Sequence, residues 1–427
     1  MAVSCCSKTT LVCDERGLLH MFGSDATTDT KPGTITIVES ELSPHKIVMV
    51  SHGRGHKACI TAGGLLLTWG TSQHGELGHG DHESKPRPHI IPRDTLGGVS
   101  ALQVSCGLNH TMVLTAGHVV LSCGWGWYGQ LGHGNTYDYH VLTQIELANI
   151  AMVACGGTSS MAVDTQGQVF SWGNNHDGQL GHNDLIQRMI PTPLSSETFA
   201  NEAVELVSMG KFHAAAVTTK GTLYVWGSNA SGQLGMDSSA DSMKPQILPG
   251  FKDSAVSIVE CCAAHTMVVL RNGTLWTFGI LKPALGHGKN TGWPTLVDPS
   301  HFGDSKIVAV SGCEWHSTAV TERGDVYTWG VSIALGHPDG EYKWVPTLVN
   351  PALLLGARVG CFHDIREEHA LAFVMCLHAR LGEDCIYVDL EDGIIQLIIE
   401  LCSSRPEGIL RKLPGVVRLL GGGLLLS

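Results

Sequence analysis

The sequence is short of charge: Asp, Glu, Lys and Arg make up 15% of its 427 residues. What charge there is leans acidic, with 39 carboxylates against 27 Lys and Arg and a formal net charge of −12. No basic block is present to neutralise phosphates, which argues against direct nucleic-acid binding. No run reaches the roughly 18 apolar residues that a spanning helix needs, so a membrane span is not expected. The stretch Met1 to Cys13 lacks the basic-then-apolar pattern of a secretion signal. None of the 14 cysteines forms a Cys-x-x-Cys pair. That removes the zinc-ribbon and thioredoxin signatures. Cys59 (KACIT), Cys106 (VSCG), Cys155 (VACG), Cys261 and Cys262 (VECC) lie in apolar, strand-like text. They read as reduced, buried thiols of a cytoplasmic or nuclear protein. GxxxxGK[ST], HExxH and GxSxG are all missing, and no two acids can be assigned to one cleft. The chain therefore reads as non-enzymatic, with no cofactor and no metal.

What is present is glycine, 52 residues, about 12% against a usual ~7% and without a collagen period. Many of these glycines fall into a repeat. An aromatic-Gly pair recurs at Phe22-Gly23, Trp69-Gly70, Trp172-Gly173, Trp226-Gly227, Phe278-Gly279 and Trp329-Gly330, with Cys123-Gly124 in the same slot. The seven glycines mark a period of about 50 residues. After each pair comes a turn, as in HGELGHG (74–80), YGQLGHG (128–134), DGQLGH (177–182) and SGQLG (231–235). A proline-marked segment follows, then a short apolar strand ending in a small residue and glycine. A histidine opens the next strand, as in His110-TMVL, His213-AAAV, His265-TMVV and His316-STAV. A glycine turn and a last strand such as TLYVW lead into the next aromatic.

Alternating apolar text of this kind builds strands rather than helices. About four strands per fifty-residue unit predict an all-β fold: a seven-bladed β-propeller of four-stranded blades, with a short α-helical C-terminal extension. The propeller is expected over 1–363 and the helical, partly irregular extension over 364–427. An open solenoid is the alternative, but no polar capping repeat is visible at either end. To close the ring, the strand pair over 9–22 is expected to complete the last blade beside the strands after Gly330. Residues 358–374 also partly match the Gly-x-x-His strand, and both cannot fill one slot. Helical spacing over 367–381 and the apolar run Ile394–Leu401 suggest helices that pack on the propeller or on a partner.

The pattern aromatic-Gly-x4-Gly-Gln-Leu-Gly, then Pro, then Val-x-Cys-Gly-x-x-His, then Gly-x-Leu/Val-x-x-Trp-Gly resembles the repeat of the regulator of chromosome condensation family. The resemblance covers about 85% of the chain and implies a seven-bladed propeller. The unit at Gly23 lacks the Leu-Gly turn, and the last two units shorten it to LKPALGHG and SIALGHP.

Trp69, Trp172, Trp226 and Trp329 are each expected to act as one large buried plate per blade, with an indole N–H that needs a partner. His56, His110, His213, His265 and His316 recur in one structural slot. They are expected to donate to a neighbouring backbone carbonyl and lock blade to blade, rather than to form a metal ring. A second set, His79, His133, His182, His287 and His337, follows Leu-Gly and is expected to face solvent. Cys106–His110 and Cys313–His316 have metal-like spacing, but each unit offers only two such groups. The aromatic turn CGWGWYGQLG supplies partner-binding candidates Trp125, Trp127 and Tyr128, followed by Tyr137 and Tyr139. Trp293 and Trp344 are added from what read as equivalent loops. Exposed rim aromatics anchor partners, although packing between blades is the other reading.

Three functional readings follow. The first is a non-catalytic protein-interaction scaffold whose loops bind another protein; the resemblance implies recruitment in ubiquitin or signalling pathways. The second is guanine-nucleotide exchange on a small GTPase, the activity of the family's founding member, although no long wedge loop is visible. The third is UV-B sensing by stacked tryptophans, as in a plant photoreceptor of the family. Only Trp315 sits beside a blade histidine, however; the matching slots hold Asn109, Phe212 and Ala264.

Overall fold

The computed structural model describes residues 1–6, 8–14, 16–23, 35–37, 45–251, 254–280, 282–331, 333–337 and 339–349. They form seven sheets, each made of four consecutive antiparallel strands. Blades one to seven span residues 2–37, 47–90, 101–144, 150–193, 204–247, 256–296 and 307–348. The expected extension over 364–427 and the terminal matches beyond 350 lie outside the described residues. Among the described residues, no helix is long and apolar enough to cross a membrane.

Blade three shows why the repeat folds this way. Its strands are Ala101–Cys106, His110–Thr115, Val120–Gly124 and Tyr139–Gln144. The second and third strands are buried along their whole length, because each sheet is covered on both faces by its neighbours. That explains near-continuous apolar text where a half-exposed sheet would alternate. The aromatic-Gly glycine ends the third strand. There the pairing to the fourth strand shifts register, between Ser122 and Gly124. Gly124 has φ 107°, and a Cβ on it would lie 2.5 Å from the Asn109 carbonyl oxygen. Only glycine fits a positive φ against that close backbone.

The fourth strands form the outer edge. Five of the six long ones carry proline in the same position, Pro88, Pro191, Pro245, Pro294 and Pro346, which blunts edge pairing. Blade three has Leu142 there. The exception is paired with another: a Cβ on Gly132 would meet Trp172 and Pro191, whereas one on Gly78 would meet Cys123 and Leu142. A smaller residue in the tryptophan slot and a larger one in the proline slot conserve packing volume.

The first strands touch one another all the way around, including those of blades one and seven. The ring is therefore closed, but not as expected. Strands Thr9–Cys13 and Leu19–Gly23 pair with Ala2–Cys6 and Ile35–Ile37 as their own sheet. Blade seven already holds four strands, so it has no place for a strand from the N-terminus. Closure is by face packing instead: Val12 and Phe22 share an apolar cluster with Val320, Val326 and Val349. The Cys5 amide donates to Ser311 Oγ at 3.1 Å. The same bond recurs at internal seams, where the amides of Cys106, Cys155 and Cys261 donate to Ser51, Ser105 and Ser208.

Candidate interaction surface

The GxLG turn is the rivet between blades. At the seam of blades five and six, His213 Nε2 lies 2.8 Å from Thr266 Oγ1. That hydroxyl donates in turn to the Gln233 carbonyl at 2.6 Å. Its proton is committed, so the imidazole is the donor and the ring is the Nε2–H tautomer. The arrangement repeats as His110–Ser160–Gln130, His265–Ser317–Ala284 and His316–Thr10–Ala334. The next blade's tryptophan meets the same carbonyl: Trp172 donates to Gln130 at 2.9 Å and Trp329 to Ala284 at 2.8 Å. Trp69 is likewise buried, in the cluster shared by blades one and two.

The histidines thus reach across the seam, but to a hydroxyl rather than to the carbonyl expected. The hydroxyl follows the next unit's histidine slot by one residue, about fifty residues downstream for His110, His213 and His265 and back in the first blade, at Thr10, for His316. Burial holds His110, His213 and His316 down to about 3 and His265 to about 4, so they are neutral near pH 7. Replacing Thr266 with valine keeps the shape but leaves the His213 N–H and the Gln233 carbonyl without their partner. We expect a loss of about 2–4 kcal/mol in urea unfolding, whereas serine at the same position costs under about 1 kcal/mol.

The second histidine set does not face solvent as expected. His79, His133, His182 and His337 each sit 3.0 Å from a third-strand hydroxyl, Thr68, Ser122, Ser171 and Thr328. Those hydroxyls donate to the carbonyls of Leu77, Leu131, Leu180 and Leu335. These four histidines fold the turn onto its own blade. Among the described residues, no group of three His, Cys, Asp or Glu could hold a metal. The ten described cysteines are free thiols, and burial raises Cys5, Cys13 and Cys106 to about 12. They are unreactive packing groups.

The strand order places the loops joining strands one to two and three to four on one face, here called the turn face. On it, Trp127 is 64% and Tyr137 72% exposed. Their neighbours are anchored. Trp125 and Tyr128 are half-buried with rings 5.5 Å apart, edge to face. Trp125 also meets His74 of blade two at 5.7 Å, and Tyr128 meets His176 of blade four at 6.1 Å. His74 Nδ1 donates to Asp138 at 2.8 Å, and the other oxygen of that carboxylate accepts from the Gly126 amide. Tyr139 stacks on His133 at 4.2 Å. The turn's candidates therefore divide into a fixed layer, Trp125, Tyr128 and Tyr139, and a presented pair, Trp127 and Tyr137. Trp293 and Trp344 are half-exposed but lie on the outer strands Thr291–Leu296 and Lys343–Leu348, not in loops. They do not join the blade-three group.

The structure adds residues that the repeat pattern does not single out. Leu185, Ile186, Met189 and Ile190 of blade four are exposed. Met189 and Ile190 lie against Gly129 and Gly134 of the aromatic turn, and the Gly134 amide donates to the Met189 carbonyl at 2.9 Å. Together with Trp127 and Tyr137 they form an apolar surface across the seam of blades three and four.

Seven sheets of one repeat in a closed ring define a seven-bladed β-propeller, here with an aromatic patch on one rim. A sequence model of the RCC1-like domain matches residues 1–312, and the chain belongs to that family. The Ultraviolet-B receptor UVR8 of Arabidopsis thaliana is 34% identical over 292 residues, 67% of this chain and 66% of the receptor. The human E3 ubiquitin-protein ligase HERC2 is 31% identical over 234 residues, 54% of this chain and 5% of the ligase. The match thus spans just under two thirds of UVR8 and a small part of HERC2. The crystal structure of human WBSCR16 superposes with a TM-score of 0.67 at 25% identity, covering 75% of this chain and 84% of that one.

Proposed function

We propose that the protein is a non-catalytic docking platform that holds a partner protein on the turn face of blades three and four. The observation that carries this reading is the presented pair Trp127 and Tyr137 above a hydrogen-bonded layer. Large aromatics on a preorganised base lose little entropy on binding, which suits an interface anchor. The resemblance to HERC2, named an E3 ubiquitin-protein ligase, supports recruitment for ubiquitin transfer as the setting. Guanine-nucleotide exchange on a small GTPase is the alternative, and UV-B sensing like that of the named receptor is the third reading. Ring contacts of the described tryptophans are to His, Tyr and Phe, which gives the third reading no indole pair to build on.

The test is affinity capture with the immobilised protein and a Trp127→Ala/Tyr137→Ala variant. Both side chains are exposed, so the variant should unfold within about 0.5 kcal/mol of the parent. We expect it to lose at least about tenfold of the captured partner, while Glu197→Lys on the opposite face loses none. Nucleotide release from a panel of loaded small GTPases should not change. Undiminished capture would refute the docking face. Accelerated release would put exchange in its place, and UV-B-driven dissociation of a dimer would favour the light-sensing reading.

A further inference from the structure

The apolar surface of blades three and four runs into an acidic gap. At the seam of blades two and three, His74 of one turn meets Asp138 of the next at 2.8 Å. At the seam of blades four and five the same two turn positions hold Asp177 and Asp241. The correspondence is fixed by backbone bonds. Asp138 accepts from the Gly126 amide and Asp241 from the Asn229 amide, each twelve residues earlier. The amides of His74, Tyr128 and Asp177 each donate to the Glu or Gln two residues on. Two carboxylates thus face each other where the seam of blades two and three has a donor and an acceptor. Burial first, and Asp241 second, push the Asp177 carboxyl above its ordinary value. Neither acid has an ion pair among the described residues, and Arg188 of blade four is already matched with Asp184 at 2.9 Å. The gap lies beside His176, whose ring contacts Tyr128, so it continues the surface that carries Trp127.

We infer that this surface takes a segment of a partner protein that combines apolar side chains with Lys or Arg. The apolar groups cover Trp127, Ile186, Met189 and Ile190, and the cation enters the Asp177–Asp241 gap. The inference rests on the docking reading and deepens it. A guanidinium or ammonium there replaces the donor that His74 supplies two seams earlier, and the exposed indole adds cation–π attraction. An anionic partner would meet two uncompensated carboxylates and be repelled.

The probe is a fluorescent octapeptide alternating arginine and leucine, followed by anisotropy. Its counterpart alternates glutamate and leucine. The arginine peptide should bind, the glutamate peptide should not, and binding should weaken as salt rises from about 50 to about 500 mM. Asp177→Asn/Asp241→Asn should weaken binding by about tenfold or more. Asp94→Asn/Glu197→Gln, the same charge change on the opposite face, should leave it within about twofold. Equal effects of the two double variants, equal binding of the two peptides, or self-association through the patch would each overturn the inference. If these appear while Trp127→Ala/Tyr137→Ala still abolishes partner capture, only the cationic chemistry is lost and the docking face stands. If capture also survives that variant, both fall.

Discussion

Replacing Trp226 with alanine should cost about 3–5 kcal/mol, the largest loss expected from any single seam residue. The side chain is fully buried in a cluster drawn from blades four and five, with Phe199 edge-on at 6.3 Å. It also covers Gly181 of the preceding turn. Its indole N–H donates to the Gln179 carbonyl at 2.9 Å. At other seams that carbonyl has a second donor, such as Ser317 beside Trp329 at Ala284. Here the histidine slot holds Ser159 and the hydroxyl slot holds Ala214, so the tryptophan carries the contact without that help. Trp226→Ala should therefore destabilise by about 1–2 kcal/mol more than Trp329→Ala, the value of a buried carbonyl left without a donor. Urea unfolding near neutral pH measures both. Equal losses would mean that the indole contributes by bulk alone. Total stabilities of ~5–15 kcal/mol make either loss severe.

Acid should unfold the protein steeply between pH 6.5 and 4.5. The four seam histidines have folded values near 3 or 4, against about 6.5 in the unfolded chain. The unfolded state takes up protons that the folded state refuses. Their contribution is whole above pH 6.5 and is lost as pH falls toward 4. Glu260, on the innermost strand of blade six, works the other way. Burial raises it to about 8, so it favours the folded state as pH drops from 8 to 4.5. His56, buried in the same slot of blade two and likewise held down to about 4, adds a fifth proton, and His182 adds in the same direction; five protons against one leave about four. That corresponds to a loss of about 6 kcal/mol between pH 6.5 and pH 5. Urea midpoints across this range measure it. His213→Gln, whose amide can still donate to Thr266, should flatten the slope by about one proton. A slope that does not change would mean that His213 is protonated in the folded state.

The blade count and strand number were legible because the aromatic-Gly pair sits at a bulge only glycine tolerates, once per unit. The partners of the histidines were not legible. His213 and Thr266 are 53 residues apart, and finding the pair requires the register between sheets. Once that register is known, the exceptions become readable: Ser159 faces Ala214, so the missing histidine and the missing hydroxyl are one event. Cys123 and Leu142 are another. The ring's closure was misread because a strand pair at a chain end looks the same whether it completes another sheet or starts its own. The patch at Leu185–Ile190 was overlooked because two apolar residues in a turn, Leu185 and Ile186, and two at the start of an outer strand, Met189 and Ile190, carry no period; only the place of the latter pair beside Gly129 and Gly134 makes them a surface. Trp293 and Trp344 read as loop residues because their neighbouring prolines mark an edge strand and a turn alike.

The seam chemistry is the central claim, and the imidazole nitrogen spectrum tests it most directly. Long-range proton–nitrogen correlation on histidine-labelled protein should show His110, His213, His265 and His316 as neutral Nε2–H tautomers, unchanged from pH 7.5 to 5.5. His316 is decisive because its partner, Thr10, lies across the closing seam of blades seven and one. Titration of His316 near pH 6.5 while the other three stay silent would mean an open ring, and titration of all four would mean that the seams are not built as described.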